Sequence, residues 1–554
     1  MQKVGFRVAG TSFLILCAVV FFTLQGRAQS VPLPQSYQLY QKFNGQVYSK
    51  GSRMHTSLRP FLIDSTLKGR YDELMNIGVD TNRKNWFLRK LFNEHLLEVN
   101  TKEYTFYADL LTENIFGKDF KDKTTPSPGF KPVGVGPTSP LGLNTRGFQV
   151  GGTIGDKFAF YTSGFENQAV FANYYLDYVR RTSGDTLFIP GQAYDRAFGK
   201  VIKDWSYVTA TLSYTPIKQL NITLGQDKTF IGDGYRSVLL SDFAANYPFL
   251  RLTANVGNFQ YMMMWTYMQD LRLPKFDTFG SNRRKYGLFH YLDWNVNNNL
   301  SFGFFNAYIV PEADDQGRRR GFDVNFINPL VFVSGLGPSS QPGNTLDGFT
   351  GKYKIFDKSA IYGQILIDRF KASSFFSDGS TDNTNAFQLG IRGADVFEVK
   401  NLNYLFEFNT AKPYTYADRS TATSYTFYGQ PLGDPFNSNY KELLGIVNYY
   451  KGRFDFQGQL TYASYGLDAN RADNNGVDAN KPFVQTGPTS TGQGINTKMY
   501  YAEGTVSYLI NPKYNLRFEL GGIYRQEKKA PGTKNTAMVS FGLRSSFRNL
   551  YHDF

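Results

Sequence analysis

Cysteine is almost absent: the 554-residue chain has one, Cys17, inside an N-terminal apolar run. Beyond that run there can be no disulfide, thiolate nucleophile or cysteine-ligated metal. Histidine is nearly as scarce, with four residues (His55, His95, His290, His552), none at metal-ligand spacing to another. No Gly-x-Ser-x-Gly elbow or phosphate-binding glycine loop occurs, and Gly232-x-Gly234 is too short to count as one. With no nucleophile–base pair to name, the chain reads as non-enzymatic and free of cofactors. Long apolar runs are missing as well. A multi-pass helical membrane protein needs several of about 20 residues, and the mean hydropathy here is −0.37.

What is present is aromatic. Phe (50), Tyr (38) and Trp (4) make up 17% of the chain, and there are 53 Gly. Disordered chains are poor in aromatics, so this composition points to many strands whose two faces meet different surroundings. At the N-terminus, Lys3 and Arg7 precede an apolar run from Phe13 to Leu24, and Gly26 and Ala28 supply small residues before Gln29. That layout predicts a secretory leader, residues 1–28, cleaved after Ala28. Leu16, ahead of Cys17, is not the small residue that lipoprotein processing requires.

Residues 29–102 read as a helical region. Trp86, Phe87, Leu91, Phe92, His95 and Leu96 recur at helical spacing, and a second helix is expected between Pro60 and Ile77. From about Tyr104 the period becomes two. Val208, Ala210, Leu212 and Tyr214 alternate with polar or small residues up to a turn at 215–219, and Leu220, Ile222 and Leu224 alternate again. Similar turns stand at 155–157, 257–258, 297–299, 357–358, 400–401, 451–452 and 511–513, each a hairpin signal. Eight hairpins, a first strand from Glu103 and a last from Thr536 predict about 18 strands within residues 103–554.

All eight turns are short, whereas the stretches between hairpins (167–203, 311–348, 411–439 and 466–498) are long. Short turns at one end and long loops at the other are the asymmetry of an up-and-down outer-membrane barrel. A sheet in hydrocarbon must close, because no water can satisfy an edge strand. The fold class expected is therefore all-β: a closed antiparallel transmembrane barrel, apolar outside and polar in the lumen. Its helical region and both termini would lie in the periplasm of a Gram-negative cell. Trp205, Tyr207, Trp294, Tyr449, Tyr450, Tyr500 and Tyr501, near strand ends, read as interfacial girdles. Phe554, the last residue, resembles the aromatic signal read by barrel-assembly machinery.

Three groups are candidate ligand contacts. Asp233, Tyr235 and Arg236 lie in a stretch, 225–242, that mixes glycine, charge and aromatics beyond what a simple loop needs and that can fold into the lumen and constrict it. Arg318, Arg319 and Arg320 form the densest basic run of a chain with formal charge +14. It would face anionic saccharide, lipopolysaccharide or solvent. The oxygen-rich run Asp468–Asp478 lacks the central glycine of a calcium loop, with Ala472 and Asp473 at the fifth and sixth positions, and reads as a polar loop.

The stretch 225–242 is similar to the capsule-assembly outer-membrane family of the Wzi type, and within it to gliding-motility-associated barrels of the RemB kind. Trp86–Glu94, Asp204-Trp205-Ser206-Tyr207 and Asn325-Phe326-Ile327-Asn328-Pro329-Leu330 carry the same likeness. The resemblance implies an eighteen-stranded barrel with a small periplasmic helical portion. It further implies a part in surface-polysaccharide assembly or attachment, or in adhesion and gliding, with polysaccharide, outer-membrane lipid and gliding or secretion machinery as partners and no nucleic acid. Capsule-anchoring members carry a Gly-Pro-Gly-like turn where this chain has Gly232-Asp233-Gly234, so the likeness bears on the family more than on a capsule ligand. The alternative from composition is a porin or solute channel.

Overall fold

The computed structural model describes residues 31–122, 141–183, 188–197, 202–270, 282–314, 316–320, 324–328, 343–372, 383–483 and 488–554. The expected leader, and Pro329 and Leu330 of the segment quoted above, lie outside them.

Eighteen antiparallel strands close into a barrel. In chain order they are β1 (Tyr104–Asp119), β2 (Leu141–Ile154), β3 (Phe158–Val170), β4 (Lys203–Ile217), β5 (Leu220–Asp227), β6 (Tyr247–Val256), β7 (Phe259–Asp270), β8 (Arg283–Asn295) and β9 (Leu300–Pro311). There follow β10 (Asn344–Lys354), β11 (Ser359–Arg369), β12 (Thr384–Ala394), β13 (Leu402–Ala411), β14 (Tyr440–Lys451), β15 (Phe454–Leu467), β16 (Ile495–Asn511), β17 (Leu516–Lys529) and β18 (Gly532–Ser545). Every short turn read from the sequence joins two of these strands. The long-loop end has one exception, since only Ala530 and Pro531 separate β17 from β18.

The ring closes where Met538 to Arg544 of β18 pair with Asp119 to Glu113 of β1. Below that point β1 would present a bare edge. A short strand, Leu97–Asn100, pairs instead with Ala108 to Thr105. Between the two, Ser545 Oγ donates to Thr112 O (3.0 Å) and accepts from Thr112 N (2.6 Å), so the seam leaves that backbone satisfied.

Period-two alternation decides what each face meets. In β15, Phe454, Phe456 and Leu460 are exposed outside, whereas Asp455, Gln459 and Thr461 are buried inside. The same rule corrects the girdle assignment. Trp294 and Tyr500 face outward, but Trp205, Tyr207, Tyr450 and Tyr501 are buried inside. Adjacent strand residues cannot share a face, so a Tyr–Tyr pair supplies one girdle residue and one lumen residue. Among the described residues no helix is long and apolar enough to cross a membrane.

At the short-turn end lie four helices, α1 (Tyr37–Gln41), α2 (Asn44–Val47), α3 (Ser65–Met75) and α4 (Trp86–Phe92). The first three and their connections form a small core from Leu39, Phe43, Val47, Phe61, Leu67 and Leu74, whereas α4 buries no residue. Asp64 Oδ1 accepts from the backbone N–H groups of Thr66 and Leu67 and so fixes the start of α3. That start lies later than the expected one at Pro60. Asn85 caps α4, which stops at Phe92 although apolar spacing continues to Leu96. The chain turns there because Leu96 N donates to Asp109 Oδ1 (2.8 Å) and enters the seam strand. His55 Nδ1 meets Asp293 Oδ2 at 2.6 Å, and Asn511 Nδ2 donates to Lys90 O and Glu94 O at 3.0 Å each, fastening this region to the wall. A fifth helix, α5 (Asn173–Ser183), occupies the β3–β4 connection, which the sequence reads as a loop.

The lumen departs from the polar interior expected. Met262, Met264, Met268, Phe289, Phe305 and Leu346 point inward and are buried against Val238, Leu239 and Leu240. Segments of the chain itself enter the barrel and remove these side chains from water, so an apolar inner face is stable there.

Candidate functional site

Four pieces converge inside the barrel: residues 228–246 between β5 and β6, the β13–β14 connection 412–439, the N-terminal region, and the tail after β18. The first is the glycine-rich stretch singled out in the sequence, and it is a plug. Gly232 has φ +143°, and a Cβ at Gly234 would stand 2.2 Å from Glu407 Oε1. Glycine at these positions lets the backbone approach the wall. Leu58↔Ile231 and Arg59↔Phe230 form a two-residue ladder between the N-terminal region and the plug.

Asp233 is buried where the N-terminal region meets the plug. Its carboxylate accepts from Tyr48 Oη (2.9 Å), Thr56 Oγ1 and Ser57 Oγ (2.5 Å), with Lys352 Nζ of β10 at 3.8 Å. Burial opposes its charge, but the Lys352 cation and the three hydroxyls outweigh burial and hold the carboxyl down at about 2. Arg392 of β12 donates to Asp233 O.

Arg236 is buried with Glu442 Oε1 of β14 at 3.0 Å and Asp553 Oδ2 at 3.0 Å from its Nη2. Burial alone would lower the guanidinium pKa; Asp553 and Glu442 reverse this and push it well up. Glu407 of β13 accepts from the backbone N–H groups of Tyr235 (2.7 Å) and Arg236 (3.2 Å), and Gln388 Nε2 donates to Arg236 O (2.9 Å). Tyr235, half-buried, stands edge-on to Tyr37 at 4.7 Å and near Tyr551 at 5.7 Å.

The β13–β14 connection lies against the plug from the other side. Tyr416 Oη donates to Val238 O (2.7 Å), Tyr425 Oη to Leu239 O (2.8 Å), and Ser241 N to Leu432 O (2.8 Å). The tail after Ser545 turns back into the barrel. Phe554 is fully buried, its ring 3.8 Å from that of Tyr178 in α5 and 6.1 Å from that of Phe243 in the plug. Phe554 therefore lies in the lumen, between the rings of Tyr178 and Phe243.

The structure thus brings Asp233, Tyr235 and Arg236 together, with the charges of Asp233 and Arg236 taken up by the chain's own groups. It places the other basic candidates elsewhere. Arg318 and Arg319 are exposed in the long β9–β10 connection, where Arg318 Nε pairs with Asp314 Oδ2 (2.8 Å), and Arg320 is half-buried beside them with its N–H on Glu312 O (2.9 Å). Asp468 accepts from Asn475 N (2.8 Å) and Lys481 Nζ (2.6 Å), turning the oxygen-rich run onto its own donors. Among the described residues no group of three or more His, Cys, Asp or Glu side chains is placed to hold a metal ion. Sequence reasoning missed Glu407, Glu442, Gln388, Arg392 and Asp553. A signal was available for two of the wall residues: Glu407 stands at an inward position between outward Phe406 and Phe408, and Gln388 between Phe387 and Leu389.

No protein-family model matches the chain, and no curated protein does. Among solved structures it is similar to Wzi, an outer-membrane protein involved in group 1 capsule assembly in Escherichia coli and a carbohydrate-binding β-barrel. That match has 14% identity, covers 94% of this chain and 100% of that one, and has a TM-score of 0.55. It shows the fold. OprD of Pseudomonas aeruginosa (10% identity, 79% and 94% covered, TM-score 0.40) and OccAB2 of Acinetobacter baumannii (11%, 79% and 97%, 0.42) also match, at scores that carry no argument.

Proposed function

We propose that this chain is an exported outer-membrane barrel that holds surface polysaccharide during capsule or exopolysaccharide assembly or attachment, and performs no chemistry on it. The observation that carries this reading is the filled lumen: the plug is bonded to the wall, the N-terminal region and the tail at once. Such an interior suits a scaffold better than a route for solutes. The fold shared with a carbohydrate-binding capsule-assembly barrel supports the same reading. Outward faces rich in Leu and Phe suit hydrocarbon. The short turns and helical region would then face the periplasm, and the long loops the surface. Exposed Arg318 and Arg319 would meet anionic sugars or lipopolysaccharide phosphates there.

The kinship with gliding-associated barrels rests on sequence segments alone, so the test carries both readouts. Deletion of the gene is followed by parallel assays of cell-bound polysaccharide and surface spreading, with the intact gene restored as control. The expected result is polymer made but shed into the medium. If neither retention nor spreading changes, the proposal is wrong.

A further inference from the structure

A cavity of about 230 Å³ lies between residues 31–35, the inner faces of β1–β6 and the start of the tail. It reaches Thr105 and Thr153, at the short-turn ends of β1 and β2, and is separate from the Arg318–Arg320 surface. Three of its groups are not used up by the fold. Arg251 is only 3% exposed; its Nη1 donates to Thr229 Oγ1 (3.1 Å), but its Nε is buried without a partner. Asp227 has, among the described residues, one hydrogen bond to its carboxylate, from Lys228 N at 2.8 Å. The Tyr207 hydroxyl has no hydrogen-bond partner among the described residues. Of the remaining wall, Phe165 and Phe249 supply buried aromatic rings beside that of Tyr207, each about 95% buried, and Ser163, Thr209, Thr211 and Thr223 add hydroxyls.

A buried donor left unmade costs free energy, so a guanidinium with a free N–H in a cavity lined by aromatic rings and hydroxyls is best satisfied by a ligand oxygen. A purely apolar ligand would leave Arg251 unsatisfied, and a simple anion, having no donor, would leave the Asp227 carboxylate with its single hydrogen bond. A ligand with several hydroxyls and an apolar ring face fits both: hydroxyls can accept from Arg251 and Tyr207 and donate to Asp227, while C–H groups rest on Phe165 and Phe249. The volume falls below the roughly 300–1,000 Å³ of drug-sized pockets, which limits the ligand to one ring. We propose that this cavity is a binding site for a single pyranose unit. The assignment rests on the saccharide reading above and locates a sugar site within it, inside the barrel and away from the surface arginines.

The test uses the full chain purified in a detergent without a sugar headgroup. Glucose, galactose, mannose, N-acetylglucosamine and glucuronic acid are titrated singly, with alanine as a zwitterionic control, and saturation-transfer NMR reads binding. Arg251→Gln removes the free donor, and Thr209→Phe fills the cavity. Phe397→Ser, in an exposed turn, is the control substitution. Heat-modifiable migration confirms that each variant is folded, and if one fails to fold the other decides. At least one pyranose should bind at millimolar concentration, at least about tenfold more weakly to Arg251→Gln and not to Thr209→Phe. The site is overturned if no pyranose binds, if both variants bind as the parent does, or if alanine alone binds. Polymer retention in cells carrying Thr209→Phe separates this site from the general function. Lost pyranose binding with retained polymer confirms the cavity and leaves the function standing. No pyranose binding by the parent, with polymer retained, removes the cavity site alone.

Discussion

Arg236 in the plug holds Asp553, next to the last residue of the chain: Nη2 lies 3.0 Å from Oδ2 and 2.9 Å from the backbone carbonyl, and Nη1 lies 3.4 Å from Oδ1. Glu442 of the wall takes the other side of the same guanidinium. One buried cation thus joins plug, tail and barrel. Removing one partner of a buried ion pair typically costs about 3–5 kcal/mol, because a charge is left uncompensated. Arg236→Met strands two carboxylates and is expected at the upper end of that range. Asp553→Asn leaves Glu442 in place and should cost less. Denaturant unfolding of the refolded barrel measures the order, and limited proteolysis should release residues 546–554 first in Arg236→Met.

Asp233 fastens the N-terminal region, and its pH dependence has a fixed sign. Its folded-state pKa, about 2, lies below the ordinary carboxylate value. The stabilisation is therefore complete above that ordinary value and is lost as pH falls through about 2. Protease sensitivity of the helical region should be flat from neutral pH down to the ordinary carboxylate range and rise only below it. Asp233→Asn should remove this acid limb while leaving the barrel strands protected.

Tyr416 and Tyr425 bind consecutive plug carbonyls, those of Val238 and Leu239. Each Tyr→Phe change deletes a hydroxyl and leaves a buried carbonyl one donor short, at about 1 kcal/mol apiece. The two rings are stacked at 5.7 Å, so the double variant need not be additive. Stability of the two singles and the double, compared as a cycle, checks this.

Leu460 lies near the middle of β15 on the outer face and is 68% exposed. Leu460→Arg should cost about 2–4 kcal/mol on folding into lipid vesicles, the range for a cation near the bilayer midplane. A change at the rim, such as Lys441→Arg, should cost little. Equal costs at the two positions would remove Leu460 from the hydrocarbon.

The barrel was legible because alternation and turn chemistry are local. Gly155, Asn258 and Gly452 mark their hairpins without reference to anything distant. The plug was legible as an anomaly, since Gly232-Asp233-Gly234 and Arg236 are costly in a loop that does nothing. Its partners were not legible. Asp233 meets Thr56 across 177 positions and Arg236 meets Asp553 across 317, and no periodicity encodes contacts of that range. Trp205 and Trp294 show the same limit. Both stand near strand ends and differ only in which face the strand turns outward, which the register of the whole ring decides.

Single-channel recording in planar bilayers tests the filled lumen most directly. The intact chain should give no large, steady conductance, and Arg236→Met should give brief openings as the plug loosens. A large, stable open conductance from the intact chain would contradict the account, since the plug, the β13–β14 connection and the tail could not then occupy the lumen together.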